Sequence, residues 1–277
     1  MNVPLVRAIA VARADAGQRP RFLTFLINLD RAEDRLASMV DQLDALEMPF
    51  ERISAVDGKA LQLVAQTYDE AGYRRRHGRL TNPGEVGCYL SHVECARRLL
   101  DSSHEFALVL EDDLVLPDNL SVVIAEALAE HSHWDVLRLS TVNNGRKFPV
   151  VTISPTRSLA LALTREKGSG AYLINRRAAA WISGGLLPMR LPYDIAYDLE
   201  FFEGLRAMFV YPVPISQEAG FASDIQQGRR LRLPLRHRLP VYPYRIFLEL
   251  SRVAFRASRL ARYKLAGLLR RQAGRLS

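Results

Sequence analysis

The sequence predicts an α/β fold with a mixed, mostly parallel central sheet flanked by helices, and three stretches carry that expectation. Phe106 to Leu110 is an unbroken apolar run of strand length, which suits a strand buried on both faces of a parallel sheet. Residues 21–56 read strand, helix, strand, the opening of a nucleotide-binding sheet. Val86, Tyr89, Leu90, Val93, Ala96, Leu99 and Leu100 form a wide apolar stripe at helical spacing, fit to pack on such a sheet.

In chain order, Arg21 to Asn28 is the first strand, and Leu36, Met39, Val40, Leu43 and Leu46 mark the first helix. Phe50 to Val56 is the second strand, closed by an Asp57-Gly58 turn. A helix is expected over Leu61 to His77. Asn82, Pro83 and Glu85 signal another helix start, with Asn82 as cap and Glu85 reaching back to the free amides. Beyond the 106–110 strand, Leu120 to Glu130 reads as helix and Trp134 to Ser140 as strand. Two short strands follow, around Val150 to Ile153 and Leu159 to Leu163. Gly168-Ser169-Gly170 is a loop able to approach a ligand, or a plain tight turn. Ala171 to Ile174 is a strand, Asn175 caps a helix, and Leu191-Pro192-Tyr193-Asp194 opens the next helix. Phe209 to Pro214 is the last strand, with Ser223-Asp224-Ile225-Gln226 closing the core.

Glu111, Asp112 and Asp113 follow the 106–110 strand directly, at the carboxyl end where ligands gather in open α/β sheets. Adjacent acids repel one another, so they need a partner. A divalent cation, Mg2+ or Mn2+, satisfies oxygen ligands of this kind, and a solvated acidic turn is the plainer reading. Asn28, Asp30, Arg31 and Arg35 lie where the first strand ends and a nucleotide could be held. No Gly-x-Gly-x-x-Gly follows that strand and no Gly-Lys-Ser/Thr loop occurs, which argues against a dinucleotide enzyme or a P-loop NTPase. Asp194, at a helix start, either caps free amides or serves a reaction.

With 277 residues, 48% of them hydrophobic, the chain can bury a full core. Cys88 and Cys95 sit on one helix face too far apart for a disulfide, so both are expected as buried thiols in a reducing compartment. Residues 1–20 are an extension without the apolar core of a signal peptide, and no stretch reads as a membrane span. Charge is uneven. Residues 229–277 carry fourteen Lys or Arg against Glu249 alone, +13, which leaves −5 of the net +8 on the preceding residues. The expected organisation is therefore an extension (1–20), an α/β domain (21–228), whose bounds and catalytic role are implied by the resemblance described next, and a basic amphipathic helical C-terminal tail (229–277).

Several separate segments resemble one family in order. They are Ile27 to Arg31 with Arg35, Ala55 to Gly58, Gly84-Glu85-Val86-Gly87-Cys88-Tyr89-Leu90-Ser91-His92, Leu110 to Asp113, Gly170 to Ile174, Pro192 to Asp194, and Gln217 with Ser223-Asp224-Ile225. Together they resemble glycosyltransferase family 25, the lipopolysaccharide and lipooligosaccharide glycosyltransferases, similar also to the collagen galactosyltransferases. The resemblance implies a GT-A-like nucleotide-sugar-binding fold and an inverting transfer of a hexose, usually galactose from UDP-galactose, to a lipopolysaccharide or related glycan acceptor. It implies Asp112 and Asp113 as metal ligands for Mn2+ (or Mg2+), and Asn28, Arg31, Arg35 and Asp112 about the nucleotide. A general base is needed on the face opposite UDP. Asp194 is the expected base, with Asp198, Glu200 and Glu166 as rivals.

In the tail, Ile246, Leu250, Val253, Leu260 and Leu268 recur at helical spacing with arginines between them, a pattern suited to an anionic inner-membrane surface on the cytoplasmic side. A lipid-linked acceptor would make that location useful. UDP-glucose or UDP-N-acetylglucosamine are alternative donors. In a different class, the chain would be a non-catalytic module with a nucleic-acid-binding tail. That reading leaves the acidic cluster unexplained and lacks interleaved aromatics, so no nucleic acid is expected.

Overall fold

A computed structural model describes residues 22–61, 65–143, 145–217, 239 and 241–273. Residues 1–20 and Ser223 to Gln226 lie outside the described residues, as does part of the stretch expected as a helix from Leu61. The described elements are β1 (Phe22–Asn28), α1 (Glu33–Ala45), β2 (Glu51–Ser54), α2 (Glu70–His77), α3 (Pro83–Asp101), β3 (Phe106–Glu111), β4 (Leu114–Val115), α4 (Leu120–Ala129), β5 (Val136–Arg138), β6 (Lys147–Ser154), β7 (Arg157–Ala162), β8 (Ala171–Asn175), α5 (Arg176–Ala180), α6 (Tyr193–Ala196), β9 (Ala207–Tyr211), β10 (Ser216–Gln217) and α7 (Val241–Ala273). A 3-10 segment, Tyr197–Glu203, continues α6.

Eight strands form one sheet in the order β2-β1-β3-β8-β5-β9-β7-β6. Six share a direction, with β7 and β8 opposed, so the sheet is mixed and mostly parallel in sense. Strand alternation divides the core into two layers. Phe25, Val109, Tyr172 and Ile174 face α3, α5 and α6, whereas Leu26, Leu108, Leu110 and Leu173 face α1 and α4. Continuous apolar strands are what helices on both faces require.

Asn82 caps α3 by accepting from the Gly84 amide at 3.0 Å. Glu85 does not turn back to the helix amides as its spacing suggests; it accepts from the Tyr73 hydroxyl, because α2 lies against this end of α3. The helix expected from Leu61 begins only at Glu70, where Asp69 caps it through the Gly72 amide. A Cβ on Gly58 would run into the Pro83 carbonyl, and one on Gly87 into the Val56 carbonyl. The loop after β2 therefore presses directly on the start of α3, and the Val56 amide donates to the Ser91 hydroxyl at 2.9 Å.

Of the basic C-terminal stretch, Val241–Ala273 forms α7, a 33-residue helix packed against α2, β6, β7 and the 197–203 segment, while residues 229–238, 240 and 274–277 lie outside the described residues. Two of the arginines that lie between its apolar residues do not face outward. Arg252 and Arg256 are 0% and 4% exposed, while Ile246, Leu250 and Val253 point to solvent. Buried carboxylates are the cause: Arg256 lies 3.0 Å from both Asp198 and Glu200, and Arg252 lies 2.9 Å from Asp198.

Candidate active site

β1 and β3 run parallel with Ile27 beside Glu111, which brings the end of β1 next to the acidic cluster. Successive residues then diverge in direction, and the three carboxylates acquire different surroundings. Asp112 turns toward β1, where it accepts from Asn28 Nδ2 at 2.8 Å and from Arg35 Nη1 at 3.0 Å. Arg52 in turn donates to Asn28 Oδ1 at 3.1 and 3.0 Å. Asn28 is 1% exposed and its amide is spent on protein partners. Both of these residues are therefore placed otherwise than the sequence suggested: Asn28 braces Asp112 instead of reaching a nucleotide, and both Asp112 oxygens are taken up within the protein. Arg35 is the cation of that brace, its side chain 18% exposed. Arg31 lies further out, paired with Asp57 at 2.7 Å, with side chains 48% and 41% exposed.

Glu111 turns the other way. It accepts from Ser169 Oγ at 2.7 Å and faces His92 Nε2 at 3.1 Å. Burial pushes its carboxyl up, but the bonds to His92 and Ser169 outweigh that and hold it below the usual carboxylate range. His92 is fully buried; its Nδ1 meets the Tyr172 hydroxyl at 2.9 Å and its ring stacks on Tyr193 at 4.1 Å. Tyr193 stacks in turn on Tyr197, whose hydroxyl donates to the Gly168 carbonyl at 2.8 Å. Gly168 has φ +93°, so the Gly-Ser-Gly loop is a turn that glycine makes cheap, and it delivers Ser169 to Glu111.

Asp113 has neither kind of partner. Its Oδ1 is buried without a hydrogen bond, and burial, with the Glu111 and Asp112 charges, pushes its carboxyl up to about 6. A buried, unpartnered carboxylate oxygen beside a second carboxylate fits a hard divalent cation such as Mn2+ or Mg2+. Asp113 and Glu111 are the residues best placed to hold it: both contacts of Glu111 fall on Oε1, whereas each oxygen of Asp112 already accepts a hydrogen bond. A second donor set lies alongside: Cys88, one turn before His92, offers a thiol with the His92 and Glu111 ligand atoms, all within 4.8 Å of one another. Burial raises that thiol well above its ordinary value, as do Glu111, Asp194, Glu85 and Asp113 in that order. Cys95 is buried as expected, Cys88 is only half-buried, and neither cysteine is in a disulfide.

Asp194 stands in α6 across the Gly168 turn. Burial raises its carboxyl, opposed by a hydrogen bond to the Gly168 backbone and by Arg138 and Arg165. Its three rivals are consumed in buried ion pairs. Asp198 meets Arg138 at 2.7 Å, Glu200 meets Arg256 at 3.0 Å and Glu166 meets Lys147 at 2.7 Å, with none of the three carboxylates more than 1% exposed. Sequence reasoning placed Glu111 in the acidic cluster but named only Asp112 and Asp113 as metal ligands, and it missed Ser169 as a partner of Glu111, although Gly168-Ser169-Gly170 lay in a stretch it had singled out.

The profile of Glycosyltransferase family 25 (LPS biosynthesis protein) matches residues 22–196. Procollagen galactosyltransferase 2 of Homo sapiens is 40% identical over 230 residues, 73% of this chain and 37% of that protein. Procollagen galactosyltransferase 1 of Danio rerio is 27% identical over 231 residues, 73% of this chain and 38% of its own length. The chain thus spans less than two-fifths of these curated relatives. A putative glycosyltransferase of Haemophilus influenzae is 22% identical over 220 residues, 74% of this chain and 76% of that protein. Among solved structures, a glycosyltransferase involved in glycosylation of the major capsid of PBCV-1 superposes with a TM-score of 0.40 at 11% identity, covering 73% of this chain and 95% of that one.

Proposed function

The chain belongs to glycosyltransferase family 25, and on that premise we propose that it is a metal-dependent, inverting glycosyltransferase moving a hexose from a UDP-sugar to a glycan acceptor. The single observation that carries this reading is Asp113, whose buried oxygen lacks a partner at the carboxyl end of β3. A bound Mn2+ or Mg2+ would supply neutralisation of the charge that builds on the leaving diphosphate. Asp113 would hold it with Glu111, and Ser169 and His92 fix the Glu111 carboxylate in position.

Asp194 takes the proton from the acceptor hydroxyl as its oxygen attacks the anomeric carbon and the bond to UDP breaks. A raised carboxyl suits that task, because a base works best when its pKa approaches the operating pH. Arg31 reaches the nucleotide from beyond β1, and Arg35 acts through Asp112, which it pairs at 3.0 Å and holds turned toward β1. Galactose is the favoured sugar, in view of the procollagen galactosyltransferases among the relatives, with a lipopolysaccharide or lipooligosaccharide chain as acceptor.

The test is UDP release from UDP-galactose, UDP-glucose and UDP-N-acetylglucosamine, with and without Mn2+, using truncated lipooligosaccharide as acceptor. Release only with Mn2+, lost in a folded Asp113→Ala protein, is expected. Undiminished turnover in that variant would remove the metal assignment.

A further inference from the structure

We propose that the outward face of α7 docks on an anionic lipid bilayer, and that its apolar side chains, not its buried arginines, enter the interface. This surface stands on its own observations, independent of the reaction proposed above. The helix has 33 residues, so at about 1.5 Å per residue it presents a rod of about 50 Å. Its polarity is reversed relative to an ordinary surface helix. Arg252 and Arg256 point inward, while Ile246, Phe247, Leu250 and Phe255 are 60%, 56%, 67% and 51% exposed.

Tyr242, Ile246, Leu250 and Val253 are spaced by four, four and three residues, which aligns them in one row along the helix. Phe247 and Phe255 widen the row and pack on Phe202 of the body, itself 43% exposed. Near the other end, Leu265, Leu268 and Leu269 are 57–59% exposed. No described helix is long and apolar enough to cross a membrane. An exposed apolar face on a helix of low mean hydropathy is the signature of a helix lying in the plane of the interface.

Charge at the rim selects the occupant. Exposed Arg74, Arg75 and Arg76 lie in the last turn of α2, which α7 packs against; Arg74 is paired with Glu70 at 2.7 Å, and Arg76 sits 5.6 Å from the Tyr244 ring. Arg262 and Lys264 are exposed on α7 itself, and its one acid, Glu249, is paired with Arg252 at 2.6 Å. A second copy docking through this stripe would bring like charges together, whereas phosphate headgroups would meet them with opposite charge.

The full chain is sedimented with vesicles of phosphatidylcholine, with and without phosphatidylglycerol, and its mass in solution is followed by light scattering. Wild-type protein is expected to sediment with the anionic vesicles. Partition should fall about tenfold or more in the triple variant Ile246→Ser, Leu250→Ser, Val253→Ser, with an unchanged melting temperature, since these side chains support no core. Arg75→Gln should lower the preference for phosphatidylglycerol while leaving the fold intact. Wild-type protein that stays in the supernatant with both vesicles would overturn the proposal, as would equal sedimentation of the triple variant. A wild-type dimer that the triple variant dissociates would also overturn it, by assigning the stripe to contact between copies.

Discussion

Arg256 of α7 donates to Glu200 at 3.0 Å with both side chains buried, so a helix drawn from the basic end of the sequence is pinned into the segment that follows Asp194. Breaking a buried ion pair from one side strands the other charge. Arg256→Met should therefore destabilise the protein by about 3–5 kcal/mol, read from urea unfolding, and Glu200→Leu in the same protein should recover much of the loss. A full-stability single variant would show that α7 does not hold the core.

Arg35 and Asn28 occupy the two oxygens of Asp112. Arg35→Met leaves a half-satisfied, mostly buried carboxylate next to Asp113, at a cost on the order of 1–3 kcal/mol. The same change should weaken Mn2+ dependence less than Asp113→Ala does, measured as the Mn2+ concentration giving half-maximal UDP release. Equal weakening would mean that Asp112 itself takes part in holding the cation.

The Asp113 carboxyl is raised to about 6 in the folded protein by burial and neighbouring carboxylates. A raised pKa favours the folded state below the unfolded value and loses that advantage as pH rises through about 6. Above that pH the ionised side chain is a burden, so Asp113→Asn without divalent cations should be more stable than wild type at pH ~8, by about 1–3 kcal/mol. Near pH ~4 the two should converge. Urea midpoints at both pH values decide it.

His77 is 5% exposed, and neither ring nitrogen has a hydrogen-bond partner. Burial first, then Arg79, Arg245 and Arg165, lower its pKa to about 3. The stability this contributes is complete above the unfolded value of 6.5 and drains away as pH falls toward 3. Replacing the ring by His77→Phe should flatten the fall in melting temperature between about pH 6.5 and pH 4.5. An unchanged slope would place the acid sensitivity elsewhere.

Asp194→Asn should lower kcat about 10²–10⁴-fold while leaving the thermal transition in place, as expected for loss of a base. Asp198→Asn should instead lower stability, because Arg138, Arg252 and Arg256 all converge on that carboxylate. Retained turnover in Asp194→Asn would transfer the base role to another group.

Sequence periodicity was enough to locate β1, α1, α3 and β3, because burial on one helical face or on both strand faces leaves a direct mark in the order of residues. The start of α2 escaped it. Its residues carry no apolar stripe, and the helix is fixed by the Asp69 cap together with Arg190, 2.9 Å away and distant in the chain. The acidic cluster was legible as a cluster, but not the separate direction of each carboxylate. Strand pairing decides that: the register of β1 on β3 gives Asp112 to Asn28 and Arg35, and the Gly168 turn gives Glu111 to Ser169.

By itself, then, the order of residues determined the α/β character, the family resemblance and the position of the acids at a strand end, all of which are local in the chain. Only the tertiary structure decided that Asp113 is left with an unpartnered buried oxygen while Asp112 and Glu111 find partners, and that α7 turns Arg252 and Arg256 inward. Those outcomes depend on charges separated by many residues, such as Arg256 and Glu200, and a buried charge settles where a distant opposite charge can meet it.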